Sequence, residues 1–213
     1  MTDRPLSASA AAYRELERLI VTLDLAPGAA VTEGELIART GLGRTPVREA
    51  IQRLAWEGLI DVRPRAGLSI ASLHAPDWIK VLDARRSVEA ILAYSAARNA
   101  SPQAVDLFYS AALAMERAAT AGDVLAYLEA DKAFDEALAE ASDNVFATRV
   151  AQPLQTHSRR FWFRYQHAAS LAESAAGHVA VIQAILARDA DRAETASDEL
   201  NDLLCTYAEA VAS

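Results

Sequence analysis

Apolar residues recur at three- and four-residue steps in the first part of the chain. Leu16, Leu19, Ile20 and Leu23 line one face of a helix that Ser7 or Ser9 can cap and that Ala26-Pro27-Gly28 must stop. Thr32 then precedes a short helix through about Thr40, Gly41 breaks it, and a third helix begins near Arg44. Pro46 sits in its first turn, where a missing amide proton costs nothing. On this third helix Val47, Ala50, Ile51 and Leu54 share one face, and Thr45, Arg48, Glu49 and Gln52 share the other. Trp56 falls roughly opposite the buried face, an awkward position for an indole. It is expected to pack against the hairpin that follows or, alternatively, on the linker or the second domain.

Past Gly58 the period changes. Residues 59–63 and 68–72 are short apolar-rich runs separated by Pro64, Arg65, Ala66 and Gly67, the pattern of a hairpin. After Ala75-Pro76 the chain turns to long alanine- and leucine-rich stretches with almost no strand signal. Breaks near Ser101-Pro102, Gly122-Asp123, Ser142-Asp143, Ala169-Ser170 and Arg188-Asp189 leave room for six helices. The expected fold is mainly α: a winged helix-turn-helix over residues 1–74 and a six-helix antiparallel bundle over 75–213, with helices of roughly 18 to 23 residues.

Composition sharpens this picture at two points. The 213 residues carry a net charge of -8, which taken whole argues against binding a polyanion. The first 74 residues, however, hold nine arginines, no lysine and nine acids, so the entire negative charge lies in the helical part and only the first segment can approach phosphate. Cys205 is the single cysteine, which rules out an internal disulfide. No charged-then-apolar leader and no long uncharged run is present, so the expected setting is the cytoplasm, with no membrane partner.

The chemistry of the third helix suits DNA. A recognition helix enters the major groove by its N-terminal end, so Arg44, Thr45, Pro46 and Arg48 lie where base edges and flanking phosphates are reached, with Gln52 one turn on. Arginine fits the task because its planar fork donates two parallel hydrogen bonds to guanine or clamps a phosphate. Arg65 and Gly67, at the hairpin tip, are placed to reach an adjacent groove. By periodicity alone the alternative stays open, a small helical domain whose arginines are a solvated face.

The run 13–71 resembles the GntR-family winged helix-turn-helix. The resemblance is carried by Pro27-Gly28, Leu36-Ile37, the stretch Arg44-Thr45-Pro46-Val47-Arg48-Glu49-Ala50, Leu54 through Glu57-Gly58-Leu59, and Arg63-Pro64 with Gly67. Two positions depart from the family pattern: Gly43 stands where a capping Ser or Thr is common, and Gly34 replaces an arginine between Glu33 and Glu35. Residues 76–211 more loosely resemble the FCD ligand-binding domain of the FadR-type subfamily, and the six helices point to its VanR-like branch. Here the anchors are Arg85 with Glu89, Asp131 through Phe134 to Ala141 and Asn144, and His178 with Ile182.

What the second resemblance implies is an effector site. Many FCD domains hold a divalent metal through an Asp, a His one turn later and two further His. In this chain Asp131 and His178 match, Asp135 replaces the first His, and Leu200 aligns with the last. Asp131, Asp135 and His178 can hold zinc or manganese with water as a fourth ligand. The favoured alternative is a metal-free pocket in which the two aspartates bond to arginine and His178 meets the effector. Effectors of the subfamily are typically small organic acids, and Arg85 is the expected carboxylate clamp. The run His157-Ser158-Arg159-Arg160-Phe161-Trp162-Phe163-Arg164-Tyr165 is read either as a buried amphipathic helix with solvated arginines or as a pocket wall in which Trp162 or Tyr165 sets selectivity and an arginine adds positive potential.

The resemblance therefore implies a homodimeric repressor of double-stranded operator DNA, released by a small carboxylate metabolite. An enzyme is not expected, since no nucleophile elbow, phosphate loop or helix-borne metalloprotease motif occurs. Gly34 and Gly43 also admit an adaptor that keeps the fold without operator specificity.

Overall fold

The computed structural model describes residues 6–63, 67–167 and 169–212. It divides between His74 and Ala75 into two compact units.

The first unit follows the order α1 (Ala8–Val21), β1 (Ala30–Val31), α2 (Glu33–Thr40), α3 (Arg44–Trp56), β2 (Ile60–Arg63) and β3 (Gly67–Ile70). Ser7 caps α1 by accepting from the Ala10 amide. The helix stops at Val21, earlier than the apolar spacing suggests, because Leu23 adopts a left-handed backbone at φ 60°. Thr32 and Glu35 form a reciprocal capping box at the start of α2. Between α2 and α3 the chain turns through Gly41, and α3 starts from Gly43 with no side-chain cap.

The end of α3 is set by its carbonyls. Leu59 N–H donates to Leu54 O at 2.8 Å and Gly58 N–H to Ala55 O at 3.1 Å, with Gly58 at φ 77°. That is a Schellman closure, and it drops Leu54 and Leu59 into the same core, both fully buried. Val47, Ala50, Ile51 and Leu54 meet Leu16, Leu19 and Ile20 of α1, Leu36 of α2 and Ile60 and Ile70 of the sheet. The sheet order is β1-β3-β2, all antiparallel, with Ile60 opposite Ile70 and Arg63 opposite Gly67. Ile60 is buried whereas Val62, two residues on and on the same face, is 57% exposed, so the hairpin runs out past its core as a wing. The two-residue strand β1 is too short to show in a period-two pattern, and only its pairing with β3 reveals it.

The second unit holds α4 (Ala75–Asn99), α5 (Pro102–Ala121), α6 (Val124–Ser142), α7 (Val145–Tyr165), α8 (Ser170–Leu186) and α9 (Ala190–Ala212). Ser101, Asp123 and Asn144 each cap the helix that follows by accepting a backbone amide. Helix α4 packs against α6, α7, α8 and α9 and is the centre of the bundle. Its buried seam runs Trp78, Leu82, Arg85, Glu89, Leu92 and Ala96, alternating four- and three-residue steps. Two charged residues thus occupy the middle of an otherwise apolar stripe. Trp78 anchors the stripe at one end, with the rings of Phe161 and Tyr165 stacked on it at 6.0 and 6.3 Å. Among the described residues no helix is long and apolar enough to cross a membrane.

Candidate functional site

Two sites emerge, one in each unit. At the N-terminal end of α3, Arg44, Thr45, Arg48 and Gln52 are exposed, with Pro46 half-buried beneath them. The side chains of Arg44 and Arg48 are 76% and 63% exposed, and both reach one carboxylate. Glu33, in the first turn of α2, takes Arg48 Nε at 2.7 Å and lies 3.7 Å from Arg44 Nε. Glu33 engages Arg48 through Nε, and the donors that fork onto guanine or phosphate are those on Nη1 and Nη2.

The rest of α3 is tied to α1. Ser9 donates to Glu49, Tyr13 OH donates to Glu57 at 2.7 Å, and Arg53 bonds Glu57 at 2.8 Å while its guanidinium lies 3.8 Å over the Tyr13 ring. The cations of this helix are therefore sorted: those of its first turns face solvent, and Arg53 in its last turn fastens it to α1. Gly67, at φ 88°, opens β3 at the wing tip; Arg65 lies outside the described residues. Trp56 does not pack on the wing as expected. It is 88% exposed, because the helix turns its buried face away at that position and the Schellman closure takes Leu59, not Trp56, into the core.

Inside the helical unit, Arg85, Tyr127, Leu128, Asp131, Gln155, Ser158, Arg159, Trp162, His178 and Leu204 surround a small cavity. Its volume is about 20 Å³ by the measure in which one water needs about 10–15 Å³. Arg85 on α4 bonds Glu89 at 2.8 Å, and Gln155 Nε2 donates to the same Glu89 oxygen at 3.1 Å. Arg85 Nε, buried, has no hydrogen-bond partner among the described residues. Across the cavity Arg159 Nη1 donates to Asp131 at 3.3 Å and, more closely, to Asp135, while Nη2 donates to Thr156 at 3.2 Å. His178 Nε2 lies 2.7 Å from Asp131 Oδ1, and its Nδ1 lies 2.7 Å from Ser174 O and 3.2 Å from Tyr127 OH. Trp162 Nε1 donates to Ser174 Oγ at 3.0 Å.

These contacts set the protonation states. Burial alone opposes charge on His178, but Asp131 on one nitrogen and the Ser174 carbonyl on the other raise its pKa, favouring the imidazolium. Burial likewise opposes charge on Asp131, and His178, Arg159 and Arg85 together overcome it and lower its pKa. Asp135 lacks a histidine partner. Burial, followed in effect by the nearby Asp131 and Glu89 charges, raises its pKa to about 7 against the pull of Arg159 and Arg85.

Comparison with known proteins joins the two sites. Residues 8–70 match the family described as "Bacterial regulatory proteins, gntR family", and residues 80–202 match the FCD domain. The chain is a GntR-family regulator with an FCD domain. An "Uncharacterized HTH-type transcriptional regulator in unstable DNA locus" of Streptomyces ambofaciens is 44% identical over 79 residues, 37% of this chain and 32% of that protein, so the likeness spans about a third of that relative. A "Probable D-xylose utilization operon transcriptional repressor" of Paenarthrobacter nicotinovorans is 29% identical over 169 residues, covering 79% of this chain and 74% of that one. The solved structure of E. coli McbR/YncC shares the fold at a TM-score of 0.81 and 18% identity, covering 98% of this chain and 100% of that chain.

With the FCD assignment in hand, the metal arrangement can be set against the residues present, and they do not fit it. Asp131 and Asp135 are both engaged by the Arg159 guanidinium, and the His178 nitrogen a metal would take faces Asp131. Leu200, which aligns with the last histidine, offers no donor atom and packs against Gly177, where a Cβ would lie 2.8 Å from its Cδ1. Among the described residues no group of three or more His, Cys, Asp or Glu is placed to hold a metal.

Of the FCD residues singled out by sequence, Arg85, Asp131, His178 and Trp162 line the cavity, and Asp135 joins it through Arg159. His178, while lining the cavity, also faces Asp131 through Nε2. Tyr165 does not line the cavity. One turn after Phe161, it shares the stripe that stacks on Trp78, whereas Trp162 turns toward Tyr127, with ring centres 4.8 Å apart, and toward Ser174. Tyr127 and Gln155 were missed as site residues, and Arg159 was foreseen only as one of the arginines of the α7 run, with an arginine expected on the two aspartates. The available signal was the pair Asp131 and Asp135 one turn apart, which requires a buried cation nearby, and the arginine-rich run of α7 supplied the candidates.

Proposed function

We propose that this GntR-family chain is a homodimeric repressor acting in the cytoplasm, whose operator affinity falls when a small organic acid enters the FCD cavity. The observation that carries the DNA half is the pair of exposed guanidinium groups, Arg44 and Arg48, gathered on Glu33 at the N-terminal end of α3. Thr45, Pro46 and Gln52 complete the docking edge, and Arg65 with Gly67 extend it at the wing. In a two-fold dimer two such helices meet successive major grooves about 34–36 Å apart.

For the effector half, Arg85 supports an anionic ligand, because its buried Nε is unpaired and Glu89 occupies only one side of the fork. The free space admits a water or two, so an organic acid must widen the cavity by parting α7 from α4 and α6. A ligand that binds the widened state better than the closed one shifts the equilibrium between them, and the same coupling energy appears in operator affinity.

A gel-shift titration on the promoter adjoining the gene tests it. Arg48→Ala is expected to weaken specific binding by about 1–3 kcal/mol, while an organic-acid thermal shift survives unchanged. Equal loss of both would contradict the division of labour, and failure of the wild type to discriminate between promoter and random duplex at any salt concentration would favour the adaptor reading.

A further inference from the structure

The aspartates that a divalent cation would need in this domain already hold a cation. Asp131 and Asp135, one turn apart on α6, present their Oδ2 atoms to a single nitrogen, Arg159 Nη1. The remaining oxygen of Asp131 faces His178 Nε2 at 2.7 Å, and Thr156 holds Arg159 Nη2 from the side at 3.2 Å. Arg159 is buried, so its guanidinium is a fixed part of the wall rather than a mobile surface group. At Gly177, the residue before His178, the aliphatic side chain of Leu200 packs close to the backbone.

We propose that the Arg159 guanidinium has taken over the work of a divalent metal in this FCD domain. It pairs with Asp131 and Asp135, fixes His178 through Asp131, and with Arg85 across the cavity supplies fixed cationic donors for the anionic end of a ligand. A guanidinium is tethered and carries one charge on planar donors, so this cation is always in place and answers to no metal supply. It also excludes a metal, since both carboxylates already face a buried cation and a second cation a few ångströms away is repelled. The inference rests on reading the cavity as the effector's, yet its test needs no effector.

Full-length protein stripped with chelator is dialysed against zinc chloride or manganese chloride, and bound metal and melting temperature are measured. Wild type is expected to take up no stoichiometric metal and to melt at the same temperature with or without it. Arg159→Ala leaves Asp131, Asp135 and His178 as an open oxygen and nitrogen set, and is expected to bind zinc at least about tenfold more tightly than wild type and to be stabilised by it. Arg159→Lys keeps the positive charge and should remain as metal-free as wild type. Stoichiometric zinc or manganese on wild type overturns the proposal, as does a folded Arg159→Ala that takes up no more zinc than wild type. Should the alanine variant fail to fold, Arg159→Gln, whose amide still donates to one carboxylate, carries the same arm. A failed organic-acid screen would instead count against the effector reading and leave these outcomes intact.

Discussion

Glu33 holds the orientation of two residues that the DNA reading depends on. It bonds Arg48 through Nε, but it also sets a negative charge where phosphate must come. Glu33→Gln is therefore expected to raise binding to random duplex while narrowing the ratio of specific to non-specific affinity. The factor should be about two to five, since exposed pairs are worth about 0.2–1 kcal/mol, and competition gel shifts would read it. In the cavity, protonation couples to stability. The Asp135 pKa, raised from 3.8 to about 7 by burial and by its neighbours Asp131 and Glu89, means the native state keeps a proton that the unfolded chain releases. Stability then declines as pH rises from about 4 to about 7. The raised His178 pKa, with Asp131 outweighing burial, acts in the same direction at higher pH, and the lowered Asp131 pKa acts oppositely in acid. Asp135→Asn should flatten the decline between pH 4 and 7 in urea unfolding, and an unchanged slope would place the titration elsewhere.

At the scale of elements, the sharpest constraints are where one helix ends or touches another. Gly58 closes α3 with a backbone at φ 77°, which a side chain resists by about 1–2 kcal/mol. Gly58→Ala should lower the melting temperature by that equivalent without changing what the folded protein binds. Gly177 lets α8 approach α9, and a methyl group there would meet Leu200 Cδ1 at 2.8 Å. Gly177→Ala is expected to cost about 1–3 kcal/mol, and because His178 is the next residue it should also perturb a ligand-induced thermal shift, whereas Gly58→Ala should not. Comparing the two variants separates loss of packing from loss of the site.

For the molecule as a whole, charge is divided as function requires. The acidic excess lies entirely in residues 75–213, and the arginine-bearing unit is neutral. Binding to operator is expected to weaken linearly in log affinity against log salt, with a slope set by the few phosphates the N-terminal unit neutralises. Arg44→Ala should lower that slope by about one, measured by gel shift across salt concentrations, while a slope that does not change would remove Arg44 from the phosphate-facing edge.

Much of this was legible in the residues themselves. The three helices of the first unit, the wing, the six-helix count and the buried face of α3 all follow from periods and punctuation, because helix ends and core faces are decided by neighbours three or four positions away. Arg85 and Glu89 came instead from the resemblance to FCD domains, not from spacing. Local spacing could not show that Leu23 turns left-handed, that two residues at 30 and 31 pair with β3, or that Tyr165 faces Trp78. Nor could it show which cation answers Asp131 and Asp135. Arg159 lies 24 and 28 residues away on another helix, and α7 offers four arginines, Arg149, Arg159, Arg160 and Arg164, to different surroundings. Which one is driven into the carboxylates is decided only when the helices pack, since a buried charge must find its partner across elements and the chain carries no local record of that choice.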